Sequence, residues 1–317
     1  MAPKMIKEII LVNPRGFCAG VARAVKILSL AAQKSREPVY MRHEIVHNRR
    51  VVQDFVKKGI HFVENISDIP RGATVVFSAH GSSPQLYEQA QKRHLTVIDA
   101  TCPLVTKVHL EAKRFVDQGY FVIYLGHKNH PEPEGVLGEI AKDRYVFIDS
   151  LEQAKKLRLA KNETKLVILT QTTLSFDDTK DIISLLRRRY PQIGMPPTYD
   201  ICYATQNRQN AVKELVKQVD TVLVVGSKTS SNSNRLVDVA KNLSRRAYLL
   251  DRVADIKDEW LTRCQKLGIT AGASAPEELI AEIVDHIRNQ YGGEVKELEV
   301  LKEQVEFPNL PKELGQL

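Results

Sequence analysis

Short apolar runs of strand length recur along the chain, each followed by a polar loop and a segment of helical periodicity. The runs YFVIYLG, KLVILT and DTVLVVGS are almost continuously apolar, which is typical of strands buried on both faces of a sheet. EIILV, PVYMR, ATVVF and LTVID precede helix-like segments in the same way. This alternation predicts an α/β fold with mainly parallel sheets. Ligands bind beyond the carboxyl ends of the strands in such sheets, so we expect the functional residues in those loops.

Three of the four cysteines stand where a strand-like segment gives way to a helix. Cys18 lies in NPRGFCAGV, Cys102 in DATCPLVTKVH, and Cys202 follows the short strand-like stretch PTYDI. They are roughly one hundred residues apart, which is the size of a small α/β domain. We therefore predict three similar α/β domains around a central cleft, covering residues 1–100, 101–198 and 199–291, followed by a charged C-terminal tail, 292–317. Cys264 lies inside a segment and is predicted to be structural.

A cysteine at the start of a helix is suited to metal binding, because the helix N-terminus stabilises the thiolate that ligates soft metals. Disulfides are not expected in a reducing cytosol, and the cysteines lack the close pairing of a zinc ribbon. Three thiolates without a fourth ligand fit two kinds of site. One is a zinc ion with a bound water, and the other is a cubane iron–sulfur cluster with one iron open to substrate.

The loops after other strands are rich in histidine, hydroxyl and amide side chains. Such side chains near helix starts often serve only as N-caps, but the run SSNSN exceeds what one cap needs. Backbone N–H groups and hydroxyls in such loops make good anion sites, so we expect phosphate binding there. A carboxyl in one of these loops, Glu132, is a candidate proton donor. The polar side chains of these loops are His43, His47, His80, His127, His130, Thr172, Thr173, Ser230, Ser231, Asn232, Ser233, Asn234 and Ser274. Among the histidines, His47, His80 and His130 are the stronger candidates because they lie in strand-end loops or just after a strand, whereas Ser274 taken alone is expected to be an N-cap.

Charge and hydropathy bound the partners of the chain. The net charge of +8 fits an anionic partner or simply a solvated basic surface. Aromatic residues make up only 6% of the chain, which argues against a stacking platform for nucleic acid. No run approaches the ~20 apolar residues of a membrane span. The start, MAPKMIKEIILV, is typical of a first strand rather than a signal peptide, so we expect a cytoplasmic protein with neither membrane nor nucleic acid as partner.

The ordered motifs NPRGFCAGV, RHEIVHN, SAHG, DATCPLVTKVH, GHKNHPEPEG, TQTTLS, DICYATQNRQ, VVGSKTSSNSNR and TAGASAP carry a family resemblance. Over about residues 6–291 the chain resembles the 4-hydroxy-3-methylbut-2-enyl diphosphate reductase family. These are the iron–sulfur reductases that complete the methylerythritol phosphate (non-mevalonate) route to isoprenoid precursors. The resemblance implies a reductive dehydroxylation that yields isopentenyl and dimethylallyl diphosphate.

The resemblance also implies a role for individual residues. Cys18, Cys102 and Cys202 match the ligands of a 4Fe–4S cluster in which one iron lacks a protein ligand. Glu132 matches the proposed proton donor, and Thr172 the residue that hydrogen-bonds near the substrate hydroxyl. The family's diphosphate pocket maps onto His47, His80, His130, Ser230, Ser231, Asn232 and Ser274. The implied partners are the small allylic diphosphate substrate and a ferredoxin or flavodoxin as electron donor.

Three other functions compete with this hypothesis. A hydrolase with a three-Cys or mixed His/Cys zinc site would be colourless, would contain zinc and would tolerate oxygen. A nucleic-acid-binding protein would show salt-dependent binding to random DNA or RNA without redox activity. A cluster-containing sensor would hold the cluster without consuming the diphosphate.

Overall fold

The computed structural model describes residues 6–160, 164–243 and 245–317. Its strands form three sheets, and every strand pairing among these residues is parallel. The predictions of an α/β fold and of mainly parallel sheets are therefore confirmed. No helix within the described ranges has both the length and the apolar character needed to cross a membrane.

The chain forms two compact units, and the first contains one sheet. This unit is built from the described parts of Met1–Ala22, Val46–Phe55 and Tyr203–Glu306. Its strands are β1 (Glu8–Asn13), β9 (Thr221–Val225), β10 (Arg246–Leu250), β11 (Lys266–Ala271) and β12 (Glu294–Glu299), in the spatial order β10-β9-β11-β1-β12. The accompanying helices are α8 (Tyr203–Leu215), α9 (Ser231–Asn242), α10 (Asp258–Leu261) and α11 (Glu277–Tyr291).

The second unit contains two sheets and is built from the described parts of Arg23–Ile45, Val56–Cys202 and Phe307–Leu317. One sheet has the order β3-β2-β4-β5, from β2 (Val39–Arg42), β3 (His61–Val63), β4 (Thr74–Phe77) and β5 (Thr96–Asp99). The other has the order β7-β6-β8, from β6 (Phe121–Leu125), β7 (Tyr145–Ile148) and β8 (Leu166–Thr170). Its helices are α3 (Pro84–Lys92), α4 (Pro103–Asp117), α5 (Pro131–Leu137), α6 (Leu151–Lys156) and α7 (Phe176–Arg189). Two further helices, α1 (Ala19–Lys34) and α2 (Arg49–Lys57), include residues of both units.

The continuous apolar runs are buried on both faces, as their composition predicts. In β1, Ile9 packs into a core with α11, whereas Ile10 on the opposite face packs into a core with α8 and α9. In β6, Ile123 and Tyr124 likewise belong to different apolar clusters. Because successive side chains of a strand point to opposite faces, a strand covered on both sides must be apolar at every position.

Two local predictions differ from the structure. The stretch PTYDI before Cys202 contains bends and no strand. Pro196 and Pro197 lack backbone N–H groups, so this part of the chain cannot supply a regular ladder of hydrogen bonds. The second difference concerns residues 292–317, which were predicted to form a charged tail. This segment contains a strand, β12, which pairs in parallel with β1.

The sheets do not follow the order of the sequence. β1 comes from the segment that carries Cys18, yet it pairs with β11 and β12 from the other end of the chain. Parallel pairing allows this, because the two strands need only run in the same direction and can be any distance apart in sequence. The division into residues 1–100, 101–198 and 199–291 stays a prediction.

Candidate functional site

Cys18, Cys102 and Cys202 each lie at the start of a helix and are partly exposed. Cys102 is the N-cap of α4, with Pro103 as the first helical residue, and its N–H donates to the carbonyl of Ala79 at 3.0 Å. Cys202 directly precedes α8 and donates its N–H to the carbonyl of Thr172 at 3.0 Å. Cys264, in contrast, is fully buried in an apolar cluster, as a structural cysteine is expected to be.

Cys18 shows directly how a helix N-terminus faces a sulfur. It precedes α1, and the backbone N–H of Val21 donates to its Sγ at 3.5 Å. Its own N–H donates to the carbonyl of Ala273 at 3.2 Å. Amide donors aimed at sulfur stabilise negative charge on it, which is the form that binds iron or zinc.

A buried carboxyl group, Glu132, lies in the first turn of α5 and is only 1% exposed. Its Oε1 accepts the backbone N–H of Thr172 at 2.7 Å, and its Oε2 lies 2.8 Å from the donating hydroxyl of Thr172. Burial raises the pKa of Glu132 from 4.5 to about 7, against the opposing effect of the two hydrogen bonds from Thr172. A carboxyl with this pKa carries a transferable proton near neutral pH.

Two imidazoles lie near the start of α5 in the same unit. His130 is the N-cap of α5, and its Nδ1 accepts the backbone N–H of Glu132 at 3.2 Å. The neutral ring therefore carries its proton on Nε2, which is a donor for an anion. The ring of His80 packs edge-to-face against that of His130, with 5.5 Å between the ring centroids. The Ser78 hydroxyl lies 3.3 Å from Nδ1 of His80.

The polar loops of the first unit converge on the backbone of Ala273. Its N–H donates to Oδ1 of Asn232 at 2.9 Å, and its carbonyl accepts the N–H of Cys18. The next residue, Ser274, donates its hydroxyl to the carbonyl of His47 at 3.0 Å. Within this unit the structure thus brings Cys18 together with three of the predicted anion-binding residues.

The start of α9 supplies the remaining predicted hydroxyls. Ser230 is its N-cap and accepts the backbone N–H of Ser233 at 3.2 Å, and Ser231 is the first helical residue. This geometry is that of an ordinary N-cap, and it also leaves the helix N-terminus at the carboxyl ends of β9 and β11. Anions bind favourably at such an N-terminus because its first amides lack partners within the helix.

Two glycines that the sequence analysis did not single out allow this close approach. A Cβ atom at Gly226 would lie 2.1 Å from Oγ of Ser233, and one at Gly272 would lie 2.0 Å from the same oxygen. Only a residue without a side chain lets α9 press against both strand ends. The signal was present in the sequence, because each glycine follows directly after its strand.

His109 on α4 is another residue that the sequence analysis did not single out. It is buried, and its Nδ1 lies 2.8 Å from Oε1 of Glu139. A Cβ at Gly81 would lie 2.6 Å from Nε2 of His109, so the loop that carries His80 rests on this ring. The available signal was its helical spacing from Val105 and Ala112, which places it on the inward face of α4.

The predicted residues fall into two sets, one in each unit. The first unit contains Cys18, His47, Ser230, Ser231, Asn232 and Ser274. The second contains Cys102, Cys202, His80, His130, Glu132 and Thr172. The donor set fits an iron–sulfur cluster, since three partly exposed thiols stand at helix starts while the remaining cysteine is packed in a core.

Comparison with known proteins gives a consistent result. A family model described as LytB protein matches residues 9–288. A relative from Azoarcus is 50% identical over 307 residues, covering 97% of each chain. One from Methylibium petroleiphilum is 47% identical over 314 residues, covering 99% of this chain and 94% of its own. Both are named 4-hydroxy-3-methylbut-2-enyl diphosphate reductase.

A solved structure confirms the fold. The E-1-hydroxy-2-methyl-but-2-enyl-4-diphosphate reductase from Plasmodium falciparum superposes with a TM-score of 0.94, at 37% identity and with 98% of both chains covered. At this identity and coverage, the likeness extends over the sheets and the loops described above.

Proposed function

Because this chain belongs to the LytB protein family and is an enzyme of the reductase class, we propose that it reduces 4-hydroxy-3-methylbut-2-enyl diphosphate. The products would be isopentenyl and dimethylallyl diphosphate, as in the last step of the methylerythritol phosphate pathway. The reaction replaces a C–O bond by a C–H bond. The hydroxyl group leaves as water, which requires electrons and protons at the site.

We propose Cys18, Cys102 and Cys202 as the ligands of a 4Fe–4S cluster in which one iron lacks a protein ligand. Support comes from their exposure, their helix-start positions and the amide of Val21 aimed at the sulfur of Cys18. When bound, such a cluster supplies electrons and a Lewis-acidic iron.

The diphosphate is proposed to bind the helix N-termini and the side chains around them. The proposed contacts are His47, His80, His130, Ser230, Ser231, Asn232 and Ser274. The Nε2–H of His130 and the amides at the start of α9 are donors suited to phosphate oxygens. Neutral donors of this kind hold a diphosphate without burying a fixed positive charge beside it.

Glu132 is proposed to hold the proton that goes to the departing hydroxyl, and Thr172 to orient this carboxyl. The new C–H bond takes a second proton, and the two electrons come from the donor protein. The pKa of about 7 keeps a large fraction of this carboxyl protonated near neutral pH. The hydroxyl of Thr172 and its backbone N–H donate to the two carboxyl oxygens, so the carboxyl group is kept in a defined orientation. This pair is the observation that most strongly supports a reductive dehydroxylation, because hydroxide is a poor leaving group unless it is protonated.

The first test is the iron and acid-labile sulfide content of anaerobically purified protein, together with its visible spectrum and turnover of the diphosphate with a reduced ferredoxin. For the wild-type protein we expect about four iron and about four sulfide per chain, together with brown absorbance. The variant Cys102→Ser should lose both the absorbance and the activity. Cys264→Ala is the matched control and should keep the cluster. Zinc without sulfide, if anaerobic reconstitution also failed, would overturn the proposal in favour of a zinc hydrolase.

The electron donor is proposed to be a ferredoxin or flavodoxin that docks on the basic surface of the cytoplasmic enzyme. The net charge of +8 supports this, since such donors are acidic. Reversing the charge of exposed lysines and arginines should raise the KM for the donor at low salt. An unchanged KM would contradict electrostatic docking.

A further inference from the structure

We infer that Lys107 and Asp200 form a partly buried ionic tie whose role is to position Cys102 and Cys202 for metal binding. The inference rests on the proposed cluster and adds two positioning residues to it. Neither residue was among those singled out in the sequence. All the groups involved lie in the second unit.

The contacts of the tie are short and mostly shielded from solvent. The side chain of Asp200 is 1% exposed, and its Oδ1 accepts from Nζ of Lys107 at 2.9 Å. Its Oδ2 accepts the backbone N–H of Thr170 at 2.9 Å. Nζ of Lys107 also donates to the carbonyl of Thr198 at 3.0 Å and lies 3.1 Å from Oε2 of Glu111. The ammonium thus has three oxygen partners.

The tie joins three pieces of backbone that carry proposed functional residues. Lys107 belongs to α4, the helix whose N-cap is Cys102. Asp200 stands two residues before Cys202, and Thr170 ends β8 two residues before Thr172. The carboxylate of Asp200 therefore links α4, which begins at Cys102, to the loop that carries Cys202. It also links both to β8, the strand that leads to Thr172.

The loop needs such a tie because it has no regular structure of its own. Residues 196–202 form no helix or strand. Its polar support comes from the N–H of Cys202 on Thr172, from the Thr198 carbonyl on Lys107 and from the side chain of Asp200. Ile201 adds an apolar anchor, and the ring of Tyr199 packs against Phe176. Removing the lysine leaves a buried carboxylate without its counter-charge, so the loop is expected to shift toward water and take Cys202 with it.

The test uses Lys107→Met, with Lys107→Arg as the conservative rescue and Lys155→Met as the control. Lys155 forms an exposed ion pair with Glu152 on α6 in the same unit. The readout is the rate at which the anaerobic holoenzyme loses its visible absorbance to an iron chelator. Losing a residue that orients metal ligands typically weakens binding by about 10–100-fold, so we expect loss about tenfold faster or more in Lys107→Met. Lys107→Arg should recover most of the wild-type rate, and the control should match it.

A second readout needs no cluster. In the cluster-free chain, the alkylation rate of each cysteine is followed by mass spectrometry. Lys107→Met should raise the rate at Cys202 several-fold and leave that at Cys18 unchanged, because Cys18 belongs to the other unit. If Lys107→Met is recovered unfolded, Asp200→Asn, which keeps the volume and removes the charge, takes its place.

The outcomes separate this inference from the proposed function. Wild-type protein that holds no cluster after reconstitution refutes the proposed function, and the alkylation result then decides the tie alone. Wild-type protein with a cluster, beside a Lys107→Met protein that loses it no faster, refutes the tie alone. A lower melting temperature with unchanged chelation and alkylation rates shows a purely stabilising role and also refutes it.

Discussion

The pKa of Glu132 makes a prediction about stability that can be tested without substrate. Glu132→Gln replaces the carboxyl by a neutral amide of the same shape, whose oxygen can still accept the backbone N–H of Thr172. Wild-type Glu132 titrates near 4.5 when unfolded and at about 7 when folded, because burial disfavours the charge. The folded state therefore binds its proton more tightly than the unfolded chain does.

The sign and size of the effect follow from linkage. Between pH 4.5 and pH 7 the folded carboxyl keeps its proton while the unfolded one has lost it, so the free energy of unfolding falls as pH rises. A shift from 4.5 to about 7, at 1.36 kcal/mol per pH unit, corresponds to about 3 kcal/mol. Below pH 4.5 the titration of this group does not change the free energy of unfolding, and well above pH 7 its full destabilising effect remains. The free energy of unfolding of Glu132→Gln, measured relative to wild type, should therefore rise by about 2–3 kcal/mol as the pH goes from 5 to 8.

The assay must report on the unit that contains Glu132. The single tryptophan, Trp260, lies in the other unit, so its fluorescence is the wrong probe. Hydrogen exchange of the amides of β6 and β8 gives the local free energy of opening at each pH. Glu152→Gln is the control, because the side chain of Glu152 is 68% exposed in the same unit. A difference between variant and wild type that does not change with pH would refute the assignment of a raised pKa to Glu132.

Three further results are expected. Thr172→Val removes a hydroxyl donor that favours charged Glu132, so it should raise the pKa of Glu132. The fall of kcat/KM at alkaline pH should then move to higher pH, and a fall at the same or a lower pH would contradict this. Gly226→Ala places a Cβ 2.1 Å from a buried hydroxyl of α9, so it should cost about 1–3 kcal/mol of stability and weaken binding of inorganic diphosphate. Gly315→Ala, which meets nothing within 4 Å, should do neither. Cys264→Ala should lower the free energy of unfolding by about 1 kcal/mol yet leave iron and sulfide content unchanged, and metal loss in this variant would assign that cysteine a ligand role.

Local patterns predicted much of the fold. The apolar runs identified β1, β6, β8 and β9, because a strand buried on both faces must be apolar along its whole length. The same patterns placed three cysteines at helix starts, which the structure confirms. The position of Glu132 in a polar loop made it a candidate proton donor, and the family resemblance implied that role and the role of Thr172. No local pattern marks one glutamate among so many acidic residues as the buried one.

Local patterns failed where burial or support came from elsewhere in the chain. In α1 the helical spacing of Val21, Val25, Leu28 and Ala32 predicts one buried face, whereas the buried side chains are Ala24, Ile27, Leu28 and Ala31. The buried face of the helix is offset by about one residue from the predicted face, because the elements packed against the helix determine which side chains are covered. The strand expected before Cys202 is absent, and in its place Asp200 holds the segment by its side chain.

Residue type and spacing over short distances were enough to predict the α/β class, the parallel strands and the positions of the thiols and polar loops. The pairing of β1 with β11 and β12, the contact of Lys107 with Asp200 and the burial of Glu132, with its pKa of about 7, are seen only in the folded chain. Strand partners, ion pairs and burial are sums over neighbours far apart in the chain. A pattern that repeats every two to four residues carries no information about them.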